Sequence, residues 1–223
     1  MDFKAEVHPD DLAKVDNIRQ RMLGVPERAY ATYVLTKDLI QRDAHGCFIE
    51  CGVFAGVHPA IMKVAMNRQK VSHVICLFDS FEGIPHAGEH DTDDIAGELH
   101  KHGRDGKLEP TGISSCSLEA VKGHMKEWNI DIIDMAFMQG WVEDTVPNSL
   151  IVKEQIPIAM LRIDVDLYSA TKVCLEHFFP LVIEGGYLVV DDMNLAGCRK
   201  AVSEIVGKEL TPIDTYGAAY MRV

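Results

Sequence analysis

The chain has 223 residues, 47% hydrophobic and 25% charged, an ordinary globular composition whose length suits one α/β domain. A formal net charge of −12, with no basic cluster to offset it, excludes nucleic acid as the expected partner. No window approaches the ~18 apolar residues of a membrane span and the acidic N-terminus lacks a signal-peptide core, so a cytoplasmic chain with no membrane partner is expected.

In chain order, residues 10–24 and 26–43 read as helices, broken near Gly24-Val25-Pro26. Residues 1–45 are expected to form an N-terminal helical lid, and its helices could pair subunits in a homo-oligomer. CFIECGV (47–53) reads as a buried strand, and a helix over 58–69 follows with Pro59 in its first turn. HVICLFD (73–79) is the second strand. Residues 82–112 are polar and rich in His and Asp. So long a segment predicts a mobile lid or insertion with a short helix. Its His86, His90, His100 and His102 suggest loop histidines or a second metal site. SLEAVKGHMKEWN (117–129) reads as a helix opened by Ser117, its apolar residues at 3–4 spacing. Strands follow at 135–142 and 156–165, then a helix at 169–182 capped by Ser169, a strand at 185–193 and a helix at 198–209. TPIDTY (211–216) and AAYMRV (218–223) read as a closing hairpin at Gly217.

This alternation predicts a Rossmann-like, doubly wound, mostly parallel sheet of seven strands with a reversed last strand. Six cysteines (47, 51, 76, 116, 174, 198) form no CxxC pair, and most lie in apolar runs. They read as buried free thiols.

In such sheets ligands sit beyond the carboxyl ends of the strands. IECGVFAG places Glu50, Gly52 and Gly56 at the first strand-to-helix turn, where glycines let a ligand approach the backbone. Asp79 ends the second strand, a place where an acid commonly holds a ribose diol. The turn is not a GxGxxG fingerprint, and an acid before the first glycine suits a cationic ligand group. LRIDVDLYSATK (161–172) and GGYLVVDDM (185–193) then end two apolar runs in paired acids. Asp164 and Asp166 share a face if their strand continues, and Asp191 and Asp192 end its neighbour. Two bare charges roughly 4 Å apart repel by about 4 kcal/mol at an effective dielectric near 20. Either some are protonated or a cation sits among them. Hard oxygen donors favour Mg²⁺, with Mn²⁺ or Ca²⁺ as alternatives. Arg162 and Lys172 could instead neutralise part of the charge.

Five stretches in order, FIECGVFAG, LFDSFEGIP, QGWVEDTVP, LRIDVDLYSATK and GGYLVVDDM, carry a family likeness over roughly residues 30–223. The chain resembles the macrocin-type, metal-dependent sugar O-methyltransferases of antibiotic biosynthesis, which have the class I methyltransferase fold. The resemblance implies S-adenosylmethionine and Mg²⁺ as cofactors and a hydroxylated small molecule as substrate. It implies Asp164, Asp191 and Asp192 as metal ligands and Asp166 as general base. Glu50, Gly52 and Val53 would lie along the methionine part of the cofactor. Asp79 and Ser80 would lie at the ribose, and Ser117, Gly140 and Trp141 at the adenine. The chain departs from the family at Val57, His58 and Pro59, where a small Gly-Ser pair is usual.

Three other readings compete. A Mg²⁺-dependent phosphohydrolase of haloacid-dehalogenase type has a strand-end DxD, but needs it near the start of the domain. A catechol-type methyltransferase also sets a metal beside the cofactor. A non-catalytic cofactor-binding protein could keep the same fold.

Overall fold

The apolar runs become strands in the computed structural model, which describes residues 1–93 and 104–223. They are β1 (Cys47–Cys51), β2 (Ile75–Asp79), β3 (Met135–Gln139), β4 (Ile158–Ile163) and β5 (Val182–Val190), followed by β6 (Thr211–Pro212) and β7 (Ala219–Arg222). Among the described residues they form one seven-stranded sheet in the order β3-β2-β1-β4-β5-β7-β6. β1 to β5 pair in parallel, and β7 runs antiparallel to both β5 and β6.

Helices cover both faces. On one lie α1 (Phe3–Glu6), α2 (Pro9–Ile18), α3 (Pro26–Gln41), α4 (Val57–Gln69) and α5 (Leu118–Glu127). On the other lie α6 (Val142–Asn148), α7 (Leu150–Lys153), α8 (Tyr168–Phe178) and α9 (Ala196–Ile205). Alternation along β1 shows the sandwich: Phe48 joins the first core, while Cys47, Ile49 and Cys51 join the second.

Pro9 and Pro26 open α2 and α3 at positions whose N–H groups need no intrahelical partner. Ser117 caps α5 by accepting from the Ala120 N–H at 3.2 Å, as its position predicts. Ser169 does not cap α8. The helix begins one residue earlier, and the Ser169 hydroxyl donates to Glu143 Oε1 at 3.0 Å. α1, α6 and α7 are too short to leave a readable period. The six cysteines are free, and only Cys116 is partly exposed. No helix of the described residues is long and apolar enough to cross a membrane.

α3 is a core helix rather than a cover. Tyr30, Tyr33, Leu35 and Leu39 are buried against the sheet. What reaches over the sheet's carboxyl edge is the shorter stretch from Met22 to Arg28. Likewise, residues 82–93 and 104–112 carry no helix or strand, but they are pinned. Ile84 and Thr111 exchange backbone hydrogen bonds with their surroundings, and Ile84 and Ala87 pack on Leu167. The described parts of the segment hold no short helix, and His100 and His102 fall on 94–103, outside the described residues.

One polar knot ties α2 to α3 and α4. Asp11 accepts from Tyr33 Oη at 2.6 Å and from Arg68 Nε and Nη2 at 2.9 and 2.7 Å. Burial raises the Asp11 pKa, but Arg68 and Tyr33 outweigh it and hold the carboxyl below its ordinary value of 3.8. A depressed folded-state pKa means stability that is present above the unfolded value and lost as pH falls through the folded one. Asp11→Asn is therefore expected to lower unfolding stability by about 1–3 kcal/mol at pH 7. Urea titrations should show the gap to wild type closing below the ordinary aspartate range. A gap independent of pH would contradict this.

Candidate active site

Strand pleating decides which charges meet. Glu50 shares a face of β1 with Phe48, Arg162 shares a face of β4 with Met160, and Asp191 extends the β5 face of Tyr187 and Val189. Glu50 and Arg162 are register partners on neighbouring strands. Arg162 is 1% exposed. Its Nε donates to Glu50 Oε1 at 3.2 Å, and its Nη2 donates to Asp191 Oδ1 at 2.6 Å and Asp164 Oδ2 at 3.3 Å. Arg28, in the first turn of α3, takes the other side of Asp191: Nη1 donates to Oδ2 at 2.9 Å, and Nε donates to Asp214 Oδ2 at 2.8 Å. The cations visible among these carboxylates are guanidiniums. Lys172 is elsewhere, with Tyr168 and Glu204 on the α8–α9 surface.

β4 ends at Ile163, so Asp164 and Asp166 do not share a continuing strand. A loop brings them together instead. Asp166 sits at φ 60°, in the left-handed region that Asp tolerates better than most residues. Its N–H donates to Asp192 Oδ2 at 3.1 Å. Asp191 and Asp192 thus divide the work of one strand end, one toward the arginines and one toward Asp166.

Carboxyl groups outnumber arginines here, and the surplus shows in proton affinity. Burial lifts Glu50 to about 8, aided by Asp191 and Asp79 and opposed by Arg162. Burial, then Asp164 and Asp191, lift Asp166 to about 7. Burial and the neighbouring aspartates push Asp164 and Asp192 well above the usual range. Asp191 is the exception: burial is outweighed by Arg162, His58 and Arg28, which hold it at about 2. Glu50 Oε2 is buried without a hydrogen-bond partner.

His58, the departure at the start of α4, completes the cluster. Arg162 Nη2 lies 2.9 Å from its Nε2, and Thr32 Oγ1 lies 2.9 Å from its Nδ1. Arginine only donates, so Nε2 accepts and the proton resides on Nδ1. The Nδ1–H then donates to Thr32, whose hydroxyl donates to the Arg28 carbonyl at 3.0 Å. Burial and Arg162 push the imidazole well below its usual pKa, in keeping with a neutral ring.

Above this cluster opens a cavity of ≈ 260 Å³ at the carboxyl ends of β1, β2 and β4. Asp164, Asp166 and Asp192 line it, whereas Glu50 and Asp191 lie beneath. Gly52, at φ 84°, is where the β1 and β4 turns cross: a Cβ there would stand 1.7 Å from the Asp164 carbonyl oxygen. Asp79 Oδ2 accepts from the Val53 and Phe54 N–H groups at 2.6 and 3.0 Å, and Oδ1 from Phe81 N–H at 2.6 Å. It therefore ties two turns together while lining the cavity, beside Val53, Ser80 and Trp141. Gly140, at φ 139°, shapes the turn before Trp141, and its N–H donates to the Asp79 carbonyl oxygen at 2.9 Å. Ser117 is engaged in its helix cap and does not reach the cavity; Ser114 does. Sequence reasoning missed Arg28 and Glu143, which also line it. Arg28 stands in no motif, whereas Glu143 lies within QGWVEDTVP beside Gly140 and Trp141.

The donor set fits a hard divalent cation. Among the described residues, His58, Asp164 and Asp191 offer ligand atoms within 4.8 Å of one another. That triangle, however, converges on Arg162 Nη2, which bonds all three. Asp164, Asp166 and Asp192 line the cavity, and Asp191 keeps second lone pairs beside its arginines. An all-oxygen set with surplus negative charge suits Mg²⁺ or Mn²⁺.

The strand order, with its reversed β7 and a cavity at the carboxyl edge, defines a class I S-adenosylmethionine-dependent methyltransferase. Residues 17–222 match the TylF, or macrocin-O-methyltransferase, family, and the chain belongs to that family of O-methyltransferases. It is 31% identical to demethyldecarbamoylnovobiocin O-methyltransferase of Streptomyces niveus, over 99% of this chain and 78% of that protein. It is 28% identical to 8-demethyl-8-(2,3-dimethoxy-alpha-L-rhamnosyl)-tetracenomycin-C 4'-O-methyltransferase of Streptomyces olivaceus, over 73% of this chain and 59% of that protein. The solved structure of the O-methyltransferase NovP superposes with a TM-score of 0.70 at 27% identity, over 95% of this chain and 79% of that one. The phosphohydrolase reading falls, since the acidic motifs close β4 and β5 rather than the first strand.

If Arg162 compensates these acids, its loss should be costly. Arg162→Met is expected to lower unfolding stability by about 3–5 kcal/mol, the range for breaking a buried pair. Denaturant titration measures it, and a loss near zero would show that the acids neutralise themselves.

Proposed function

We propose that the chain methylates a hydroxyl group of a small natural product, on a sugar, with a divalent cation held by Asp164, Asp191 and Asp192. The observation that carries this reading is the convergence of Asp164, Asp166 and Asp192 on one cavity floor beside the Gly52–Val53 turn. The relatives' names support the acceptor class, one specifying a novobiocin precursor and another a rhamnosyl group. An apolar rim supports a bulky scaffold: Leu23, 59% exposed, and Met22 stand at the cavity mouth.

S-adenosylmethionine supplies an electrophilic methyl group and leaves as the thioether. A divalent cation, when bound, supplies Lewis acidity toward the acceptor hydroxyl. The chain's own residues do the rest. Gly52 and Val53 would give the cofactor's methionine portion a backbone surface, with Glu50 beneath as a buried acid. Asp79 and Ser80 would hold the ribose, and Gly140 and Trp141 the adenine side. Asp166 accepts the hydroxyl proton as the O–CH₃ bond forms and the S–CH₃ bond breaks. Arg162 and Arg28 fix Asp191, and through it the geometry of the floor. Residues 22–28 and the 83–85 stretch cover the cavity and exclude water.

Two experiments test these roles. Methyl transfer from labelled S-adenosylmethionine to glycoside acceptors should stop in EDTA and return with Mg²⁺ or Mn²⁺; full activity in chelator would remove the metal. Asp166→Asn is expected to lower kcat by about 10²–10⁴, the usual contribution of a general base, with S-adenosylhomocysteine affinity unchanged in calorimetry. Unaltered turnover would reject Asp166 as the base.

A further inference from the structure

The insertion between β2 and α5 reaches the site from outside, and it does so through two acids. Asp91 belongs to a polar surface segment yet is only 5% exposed. Its Oδ1 accepts the Tyr168 N–H at 2.8 Å, and its Oδ2 accepts the Gly88 N–H at 2.8 Å. Tyr168 is the first residue of α8 and follows closely on Asp166. Asp93 Oδ2 accepts the N–H of Ala196, the first residue of α9, which follows closely on Asp192.

Neither helix caps itself. The residues at their N-cap positions are Leu167 and Leu195, whose side chains have no acceptor. The first N–H groups of a helix need partners, and its positive end favours a carboxylate. One short segment provides both, for the two helices that follow the two acidic strand ends. Gly197 makes the room: a Cβ there would stand 2.2 Å from Asp91 Oδ1. The His90 ring lies edge-on to Tyr168, with centroids 4.4 Å apart, and Leu167 packs beneath on Ile84 and Ala87.

We propose that Asp91 and Asp93 are positioning residues, capping α8 and α9 in trans and so fixing the loops that carry Asp166 and Asp192. The importance of those loops rests on the reading of Asp166 as base and Asp192 as metal ligand. Each loop is then held at both ends: by its strand on one side and by a capped helix on the other. Asp166 needs this, because its left-handed backbone persists only where the surroundings over-determine it. The insertion thereby does more than cover the cavity; it sets the geometry of the floor.

The test is amide hydrogen exchange of the whole chain, read at residues 164–168 and 192–197. Asp91→Ala and Asp93→Ala are expected to quicken exchange there roughly 2- to 30-fold, the range implied by losing a cap, and to leave β1 and β4 amides unchanged. Asp91→Asn and Asp93→Asn keep an acceptor oxygen and should restore most of the protection. Gly197→Ala, which displaces Asp91 without removing it, should quicken exchange at Tyr168 even if an alanine variant fails to fold. Mn²⁺ titration followed by electron paramagnetic resonance adds a second readout, with weaker binding expected in the alanine variants and recovery in the asparagine ones. Unchanged exchange at both loops in folded variants, or a uniform quickening along the chain, would overturn the proposal. A wild-type protein that takes up no Mn²⁺ would strike the metal reading alone, and the exchange data would still decide the caps.

Discussion

One buried guanidinium organises the working edge of this sheet. Arg162 sits between β1 and β5 with bonds to Glu50, Asp164, Asp191 and His58. Taking an arginine out of water costs several kcal/mol unless its donors are met. Here Nε and Nη2 are met across three neighbouring strands. A shift of one residue in any of them would turn its charge to the opposite face. Register and site chemistry are therefore one constraint.

The arginines do not exhaust the negative charge. Arg28 is shared with Asp214, and Arg162 with three acids, so Asp164, Asp166 and Asp192 face the cavity with raised proton affinity. The fold thus separates a compensated layer beneath, built on Asp191 and Glu50, from an uncompensated one above. The lower layer fixes positions, with Asp191 keeping second lone pairs beside its arginines; the upper one offers the remaining oxygens. Across the cavity the β1 turn is fixed by backbone, through Gly52 against the Asp164 carbonyl and Asp79 on the Val53 and Phe54 amides. No long side chain is needed there.

Much of this was legible in the sequence. Unbroken apolar runs ending in acids gave the parallel sheet and its polar edge, because strands buried on both faces leave no other pattern. The acids of DVD and DD do cluster. Arg162 was legible as a cation that could offset the strand-end acids, and it does; what period and propensity could not show was its second partner, Glu50, on the neighbouring strand. Lys172, equally near in sequence, proved to be on a helix surface, because α8 turns it away. Ser169 has the chemistry of a cap, but the cap of α8 comes from Asp91, far away in the chain. His58 stood out only as a departure, and its bond to Arg162 explains it as a neutral acceptor rather than as an obvious ligand.

The most direct test of this division is anomalous diffraction from crystals grown with S-adenosylhomocysteine and Mn²⁺. A manganese peak is expected on the cavity side of Asp164 and Asp192, within reach of Asp191, with Arg162 still bound to Glu50 and Asp191. Carboxylates paired to arginine alone, with no peak at saturating Mn²⁺, would contradict it.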